Sequence, residues 1–215
     1  MRLILLGAPA SGKGTQAERL TCHLKADHIS TGDMLRQVVA ARTDLGLVME
    51  MYLKHGHLVP DHHAIQLVEQ RFADSSAADG FIMDGFPRTL SQAHHFDAFL
   101  EGKGLDLDAI VLVDVPDNVL LDRITGRRAD PETGRIYHLT FNPPPADILP
   151  RLVQRDDDTE AVMEGRLATY HREIDPVIAH YRQAKNFIQV NGDQPVDQVF
   201  QAIIHHLDNL VEQPG

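Results

Sequence analysis

The sequence predicts an α/β fold of three layers, with a five-stranded parallel sheet between two layers of helices. Short apolar runs alternate with amphipathic stretches along most of the 215 residues, a pattern typical of parallel sheets covered by helices on both faces. The first apolar run leads directly into a glycine-rich phosphate-binding pattern. One long segment, residues 127–158, departs from the alternation and therefore predicts an insertion.

The first strand and the loop after it form the strongest motif. Met1–Leu6 is an apolar run, and Gly7–Thr15 fits G-x-x-x-x-G-K-[ST] except that Gly14 replaces the usual Ser or Thr. Glycines let a backbone turn tightly and aim consecutive N–H groups at one anion. Lys13 adds a mobile positive charge, and the helix that starts there presents its positive end to phosphates. These residues predict a P-loop.

The other elements follow from apolar periodicity, helix caps and breakers. Ser30 and Asp33 have the spacing that begins a helix, Gly56 ends one, and Asp61 is expected to cap the next. Pro176 is expected to bend the longest helix. We predict strands at 27–30, 81–83, 109–113 and 187–190, and helices at 31–42, 44–55, from 61, from 89, from 117, 159–185 and 196–211.

The departing segment has the composition of a structured loop. Gly, Pro, Thr and Asn dominate residues 127–158, and Pro131–Arg135 carries a hairpin signal before Ile136 and Tyr137. The run Pro143–Pro145 excludes a long helix. Because so long a segment is more than a connection within a compact domain requires, it predicts a lid over an active site.

Composition limits the possible partners and location. The net charge of −11 argues against a broad basic face for nucleic acid. One cysteine, Cys22, excludes an internal disulfide framework and a cysteine-based zinc cluster. The apolar run at 3–6 is too short for a signal-peptide core, and no stretch approaches a membrane span. We therefore expect a cytoplasmic protein with neither nucleic acid nor membrane as a partner.

Five ordered segments carry a resemblance to a known family. They are Gly7–Thr15, Ser30–Arg36, Asp84–Arg88 with Gln92, Gly126–Arg128, and Arg155–Asp158 with Arg166. Together they span the chain, which resembles adenylate kinase of the bacterial long-lid type, a nucleoside monophosphate kinase. The resemblance implies the reaction MgATP + AMP ⇌ 2 ADP, with ATP, AMP and ADP as partners, Mg²⁺ as cofactor and a monomeric state.

The resemblance also implies a division of the chain. The core P-loop domain would comprise residues 1–29, 60–126 and 159–215, the helical AMP-binding segment residues 30–59, and the lid residues 127–158. The chemistry agrees, since phosphoryl transfer needs positioning and positive charge, and the attacking phosphate of AMP is already an anion that requires no catalytic base. The expected catalytic residues are Lys13, Arg88, Arg127, Arg155 and Arg166.

Ligand contacts are expected by the same resemblance. For ATP they are Ala10, Ser11, Gly12, Lys13, Gly14, Thr15, Arg123, Arg127, Ile136, Tyr137 and Gln194. For AMP they are Thr31, Arg36, His57, Leu58, Val59, Gly85, Phe86, Pro87, Arg88, Gln92, Arg155 and Arg166. An amide at position 92 can both donate to and accept from adenine, but Thr89-x-x-Gln92 is also a capping-box spacing. We favour adenine recognition and expect that one conformer does not serve both roles.

Two expectations concern metals. Asp84, at the end of a strand that faces the phosphates, would hold Mg²⁺ through water. Many relatives carry four zinc-binding cysteines in the lid, whereas this lid has none, so we expect no zinc. Asp130 and Thr133 stand where a hydrogen-bonded substitute would place polar side chains. The histidine pairs are interpreted as structural, because adjacent helical residues point in different directions.

Two alternative functions are considered, one within the enzyme class and one outside it. A UMP/CMP kinase usually has a short lid and an Asn near the position of Gln92, so both features of this chain argue against it. A nucleotide-binding module without catalysis would lack Lys13, Arg88 or a lid arginine, and none of these is missing.

Overall fold

The computed structural model describes residues 1–73, 80–155 and 158–212, with the side chains of 211 and 212 left out. Its elements keep the predicted order. They are β1 (Arg2–Leu6), α1 (Lys13–Leu24), β2 (Asp27–Ser30), α2 (Thr31–Ala40), α3 (Asp44–Lys54), α4 (Asp61–Ala73), β3 (Phe81–Asp84), α5 (Leu90–Gly102), β4 (Ala109–Asp114), α6 (Asp117–Gly126), β5 (Arg127–Ala129), β6 (Ile136–His138), α7 (Glu160–Tyr181), β7 (Phe187–Asn191) and α8 (Val196–Glu212).

Five strands form one parallel sheet in the order β2-β3-β1-β4-β7, which confirms the predicted fold class. Alternate strand residues face two separate cores, one holding Ile4 and Met83 and the other Leu3 and Ile82. Helices cover both faces, so the central strands β3, β1 and β4 are nearly continuous apolar runs, whereas the edge strands β2 and β7 carry polar residues.

The register brings the carboxyl ends of three strands to one level. Leu5 pairs with Asp84, and Asp84 pairs with Ser30 of β2. The P-loop, the start of α2 and the turn at Gly85 leave the sheet from these ends. Ligands of open α/β sheets bind at this edge, so the fold itself gathers the predicted site.

Helix ends account for the small differences from the predicted bounds. Ser30 Oγ accepts from Asp33 N at 3.3 Å and begins α2 as expected, while α2, α3 and α7 end one to four residues early. The expected cap at Asp61 is wrong. The carbonyl of Pro60 receives the first helical N–H groups, while the Asp61 carboxylate accepts bonds from Thr89 and Gln92 on α5.

The departing segment contains the predicted hairpin. β5 pairs with β6 in antiparallel register, and Gly134 in the turn has a φ of 73°, a conformation that glycine adopts without strain. A 3₁₀ turn at Leu149–Arg151 follows, and Val153 returns to pair with Ala129. Of the Arg155–Asp158 motif, Asp156 and Asp157 lie outside the described residues.

Candidate active site

A cleft with a cavity volume of about 1440 Å³ opens at the carboxyl edge of the sheet. Its walls come from the P-loop, α2, the β3 end, the lid hairpin and α7. Most of the predicted site residues line it. They are Ala10, Ser11, Gly12, Lys13, Gly14, Thr15, Arg36, His57, Leu58, Asp84, Gly85, Pro87, Arg88, Arg123, Arg127, Ile136, Tyr137, Arg155, Arg166 and Gln194.

The P-loop has the backbone that its sequence predicts. Ala10 and Gly12 take left-handed conformations with φ of 64° and 91°, and Ser11 N donates to Ala8 O at 3.1 Å. α1 begins at Lys13 with no side-chain cap at Gly12, so its first N–H groups face the cleft. A Cβ at Gly14 would lie 3.4 Å from Asp84 Oδ2, an ordinary van der Waals distance, so crowding does not explain the glycine where Ser or Thr is usual.

Lys13 lies in surroundings that oppose its charge. Its Nζ donates to Ala8 O at 3.1 Å. Burial lowers the pKa of Lys13 to about 8, and the positive charges of Arg88, Arg127 and Arg166 act in the same direction, while Asp84 partly offsets them. A cluster of cations that depresses its own pKa values is a site prepared for multivalent anions.

Asp84 is the acidic group of the cleft. Burial opposes its ionisation, but His28, Lys13 and Arg88 outweigh burial and hold the pKa of this carboxyl below its ordinary value. The carboxylate is therefore charged at neutral pH. Within the described ranges no group of three or more His, Cys, Asp or Glu side chains could hold a metal ion. A single carboxylate beside a phosphate site does fit Mg²⁺, which keeps most of its water and shares phosphate oxygens.

The turn after β3 positions Arg88. Its Nε donates to Gly85 O at 2.6 Å, and Thr31 Oγ1 donates to the same oxygen at 2.7 Å. Gly85 has a φ of 81°, and a Cβ there would lie 2.9 Å from both Arg88 Nη2 and Thr31 Oγ1. Only glycine therefore allows Arg88 to lie this close to the turn. Burial lowers the pKa of Arg88, with Arg166 and Arg36 adding to the effect.

Phe86, predicted as an AMP contact, has its side chain in the core. The Phe86–Pro87 peptide bond is cis, and the Phe86 ring is 2% exposed. It packs edge-on against Phe96 with ring centroids 5.4 Å apart and lines neither cavity described here. An aromatic ring of this size is more stable in the core, so the predicted contact of Phe86 with AMP would be made through its backbone.

A second cavity of about 20 Å³, room for about one water, adjoins the cleft. Three predicted AMP contacts absent from the larger cavity, Thr31, Val59 and Gln92, lie in its wall. Its other lining residues are the apolar Leu35, Leu53, Leu58 and Ala64, together with His57, Gly85 and Arg88, which it shares with the cleft, as it does Leu53 and Leu58. This arrangement can surround the edge of a flat aromatic ring.

Gln92 is held at the start of α5, although its Oε1 bonds to Arg88 N rather than to the N–H of the N-cap Thr89 that a capping box requires. Its backbone N donates to Thr89 Oγ1 at 3.2 Å, and its Oε1 accepts from Arg88 N at 2.8 Å. Its Nε2 donates to Asp61 Oδ1 at 2.7 Å. The sequence did not predict the contact between Asp61 and Gln92. An acidic residue at the start of a helix is equally a sign of a helix cap, and Asp61 was interpreted as one.

The lid arginines are anchored by the protein. Arg127 forms a bidentate salt bridge with Asp158, through Nε at 2.8 Å and through Nη2. Asp158 is fully buried. Arg123 donates to Ser11 O at 3.3 Å and to Gly192 O at 2.9 Å, linking the P-loop to the loop after β7. The pairing at Asp158 has no local sequence signal, because its partner is 31 residues away.

The fold and the site define a class: a P-loop nucleotide-binding protein with cations gathered for phosphoryl groups. The family model for adenylate kinase matches residues 5–186. Proteins called adenylate kinase are similar over nearly the whole chain. The one from Clostridium novyi (strain NT) is 40% identical over 213 residues, 97% of this chain and 99% of its own. The adenylate kinase from Moorella thermoacetica is 43% identical over 94% of this chain and 96% of its own. The one from Gloeobacter violaceus is 44% identical over 93% of this chain and 94% of its own. This chain belongs to the adenylate kinase family.

Proposed function

We infer that this chain is an adenylate kinase, which transfers a phosphoryl group reversibly from MgATP to AMP and gives two molecules of ADP. The observation that supports this most directly is the convergence of Lys13, Arg88, Arg127, Arg155 and Arg166 on one cleft between a P-loop and a small apolar pocket. Loose phosphoryl transition states are stabilised mainly by positioned positive charge, which this cleft supplies.

The donor side would hold ATP. The uncapped start of α1 would bind the β- and γ-phosphates through N–H groups, with Lys13 beside them. Arg123, Ile136, Tyr137 and Gln194 would surround the adenine of ATP. Arg127, held by Asp158, would be kept in a fixed direction toward phosphate, because a two-pronged pair restricts the guanidinium plane.

The acceptor side would hold AMP. Arg36 and Arg88 would bind its phosphate, and the base would lie in the cleft with its edge toward Gln92 and the small pocket beside it. Because Arg88 is held on the Gly85 carbonyl, its guanidinium requires little reordering when the phosphate arrives. Arg155 and Arg166 would lie between the two nucleotides.

Asp84 would hold Mg²⁺ through water. The ion, when bound, neutralises charge that develops on the phosphoryl oxygens. In the described part of the chain, no helix is long and apolar enough to cross a membrane. A cytoplasmic monomer, with residues 30–59 and 127–158 closing over the two nucleotides, is part of the same proposal.

The first test removes one cation at a time. Lys13→Ala and Arg88→Ala should each lower kcat by about three or more orders of magnitude, as the loss of one transition-state cation does in other phosphoryl-transfer enzymes. A coupled assay of ADP formation measures the rates, and circular dichroism checks the fold. Arg172→Ala is the matched control, because Arg172 is exposed and paired only with its neighbour Glu173 among the described residues. Turnover near that of the control in either cleft variant would contradict the assigned role.

The second test concerns the acceptor base. AMP, CMP and UMP are offered in turn with MgATP, and AMP should be the preferred acceptor. Preference for CMP or UMP would favour the pyrimidine kinase alternative. Nucleotide binding without turnover for any of the three would favour a non-catalytic module.

A further inference from the structure

We propose that Asp61 determines the base specificity of the monophosphate site by fixing which way the Gln92 amide faces. The proposal rests on the inferred AMP site and extends it to a residue outside the predicted contacts. Asp61 opens α4, whereas Gln92 lies in the first turn of α5 and is 2% exposed. Their side chains meet at 2.7 Å beside the small apolar pocket.

The two partners of the amide permit one orientation. An ionised carboxylate only accepts hydrogen bonds, so Asp61 must face the NH₂ group of Gln92. A backbone N–H only donates, so Arg88 N must face the amide oxygen. A flipped amide would set oxygen against carboxylate and NH₂ against N–H, and two hydrogen bonds would become two repulsive contacts.

The oriented amide keeps capacity for a ligand. An amide oxygen has two lone pairs and an amide nitrogen two hydrogens, and the bonds to Arg88 and Asp61 use one of each. The expectation that capping and base recognition exclude each other in one conformer is therefore too strict. One acceptor and one donor, in a fixed order, remain for the base.

That order distinguishes purines by the group at ring position 6. Adenine has a donor there, its amine, and an acceptor at N1. A 6-oxopurine has an acceptor at position 6 and a donor at N1, so it presents the reverse order and pairs well only with a flipped amide. Inosine monophosphate differs from AMP mainly in this respect, so it isolates the effect from size. Asp61 thus acts as a positioning residue that selects adenine.

The test compares AMP with inosine monophosphate as acceptors in Asp61→Asn. An Asn side chain can present either its oxygen or its NH₂ to Gln92, so it removes one of the two contacts that oppose the flip and leaves that of Arg88 N. We expect the ratio of kcat/KM for AMP over inosine monophosphate to fall by about tenfold or more, with KM for ATP little changed. A tenfold change corresponds to about 1.4 kcal/mol, within the range for a hydrogen bond to a charged group.

Thr89→Val is the matched control. Thr89 donates to the other oxygen of Asp61 at 2.9 Å and caps α5, so its loss should lower the melting temperature. It leaves the Asp61–Gln92 bond in place, and the base ratio should therefore stay within about twofold of the unaltered protein. A lowered melting temperature in Asp61→Asn with an unchanged base ratio would overturn the proposal and leave Asp61 a structural residue.

A second measurement needs no change at Asp61. The side-chain NH₂ signals of Gln92, assigned by their disappearance in Gln92→Leu, should shift when AMP binds to the unaltered protein. AMP binding that leaves both signals in place would overturn the proposal even if Asp61→Asn does not fold. If the unaltered protein fails to phosphorylate AMP, the inferred function fails instead, whatever the two variants do.

Discussion

At the scale of single residues, the cleft assembles charges that destabilise one another until phosphate arrives. Burial and three arginines lower the pKa of Lys13 to about 8, so the unliganded protein carries this charge below pH 8 and loses it above. Because kcat/KM reports the free enzyme, kcat/KM for MgATP should decline as the pH rises through about 8. Bound phosphates favour the charged amine, so kcat should decline only at higher pH.

The pH profile of kcat/KM for AMP, the acceptor, is the control for the profile measured with MgATP. With ATP saturating, Lys13 is already covered by phosphate, and kcat/KM for AMP should pass pH 8 without the same decline. Initial rates from pH 6 to 10 with each nucleotide varied in turn measure both profiles. A flat profile for MgATP to pH 9.5 would contradict the assignment of Lys13 to the donor phosphates.

At the scale of elements, the lid shows how a cysteine-free hairpin holds together. Asp130 is 1% exposed and accepts from Arg151 Nε at 2.9 Å and Nη2 at 2.6 Å, from Thr133 Oγ1 at 2.7 Å, and from Glu132 N at 3.1 Å. Asp130 and Thr133 had been predicted as polar substitutes for metal ligands. Arg151, from the 3₁₀ turn at Leu149–Arg151, completes the group, and the sequence analysis did not predict this partner.

The hydrogen-bonded group around Asp130 makes the lid sensitive to acid. The bonds from Arg151, more than any other contact, lower the pKa of Asp130 to about 2, against an unfolded value near 4. A folded pKa below the unfolded one stabilises the folded state above pH 4, and this contribution disappears as the pH falls toward 2. Asp130→Asn should therefore speed amide hydrogen exchange across residues 127–155 at pH 6, and the difference from the unaltered protein should shrink toward pH 2.

Glu132→Gln is the matched control for the lid. Glu132 also pairs with Arg151, at 2.8 Å, but its side chain is 67% exposed, and exposed ion pairs contribute little. Exchange in this variant should stay close to that of the unaltered protein. If both variants exchange alike at pH 6, the Asp130 group does not hold the lid.

Some features of this molecule are predictable from local sequence signals, and others are not. Strands, helices and the lid hairpin were predictable, because periodicity, caps and turn residues are local signals. The pairs Asp130–Arg151, Arg127–Asp158 and Asp61–Gln92 span 21, 31 and 31 residues. Which charged side chain meets which at such separations depends on how the elements pack, and no local pattern carries that information. Most residues predicted for the site line one cleft, whereas their supporting partners were not predictable.

At the scale of the whole molecule, a chain with a net charge of −11 concentrates its cations where anions must bind. Phosphate recognition thus depends on local geometry rather than on a general positive field. Among the described residues no metal-binding cluster is found, and in the lid Arg151 bonds to Asp130, so we expect a metal to be needed only together with the nucleotide.

Removing metal should therefore separate activity from stability. With excess EDTA, ADP formation should stop and should return when Mg²⁺ is added, because the proposal has Asp84 and the nucleotide phosphates hold that ion jointly. The melting temperature without nucleotide should be the same with and without EDTA, since the described residues offer no structural metal site. Thermal unfolding followed by circular dichroism, beside elemental analysis of untagged protein, gives both readings. About one zinc per chain, or a melting temperature lowered by EDTA, would show that a metal rather than the Asp130 group stabilises the fold.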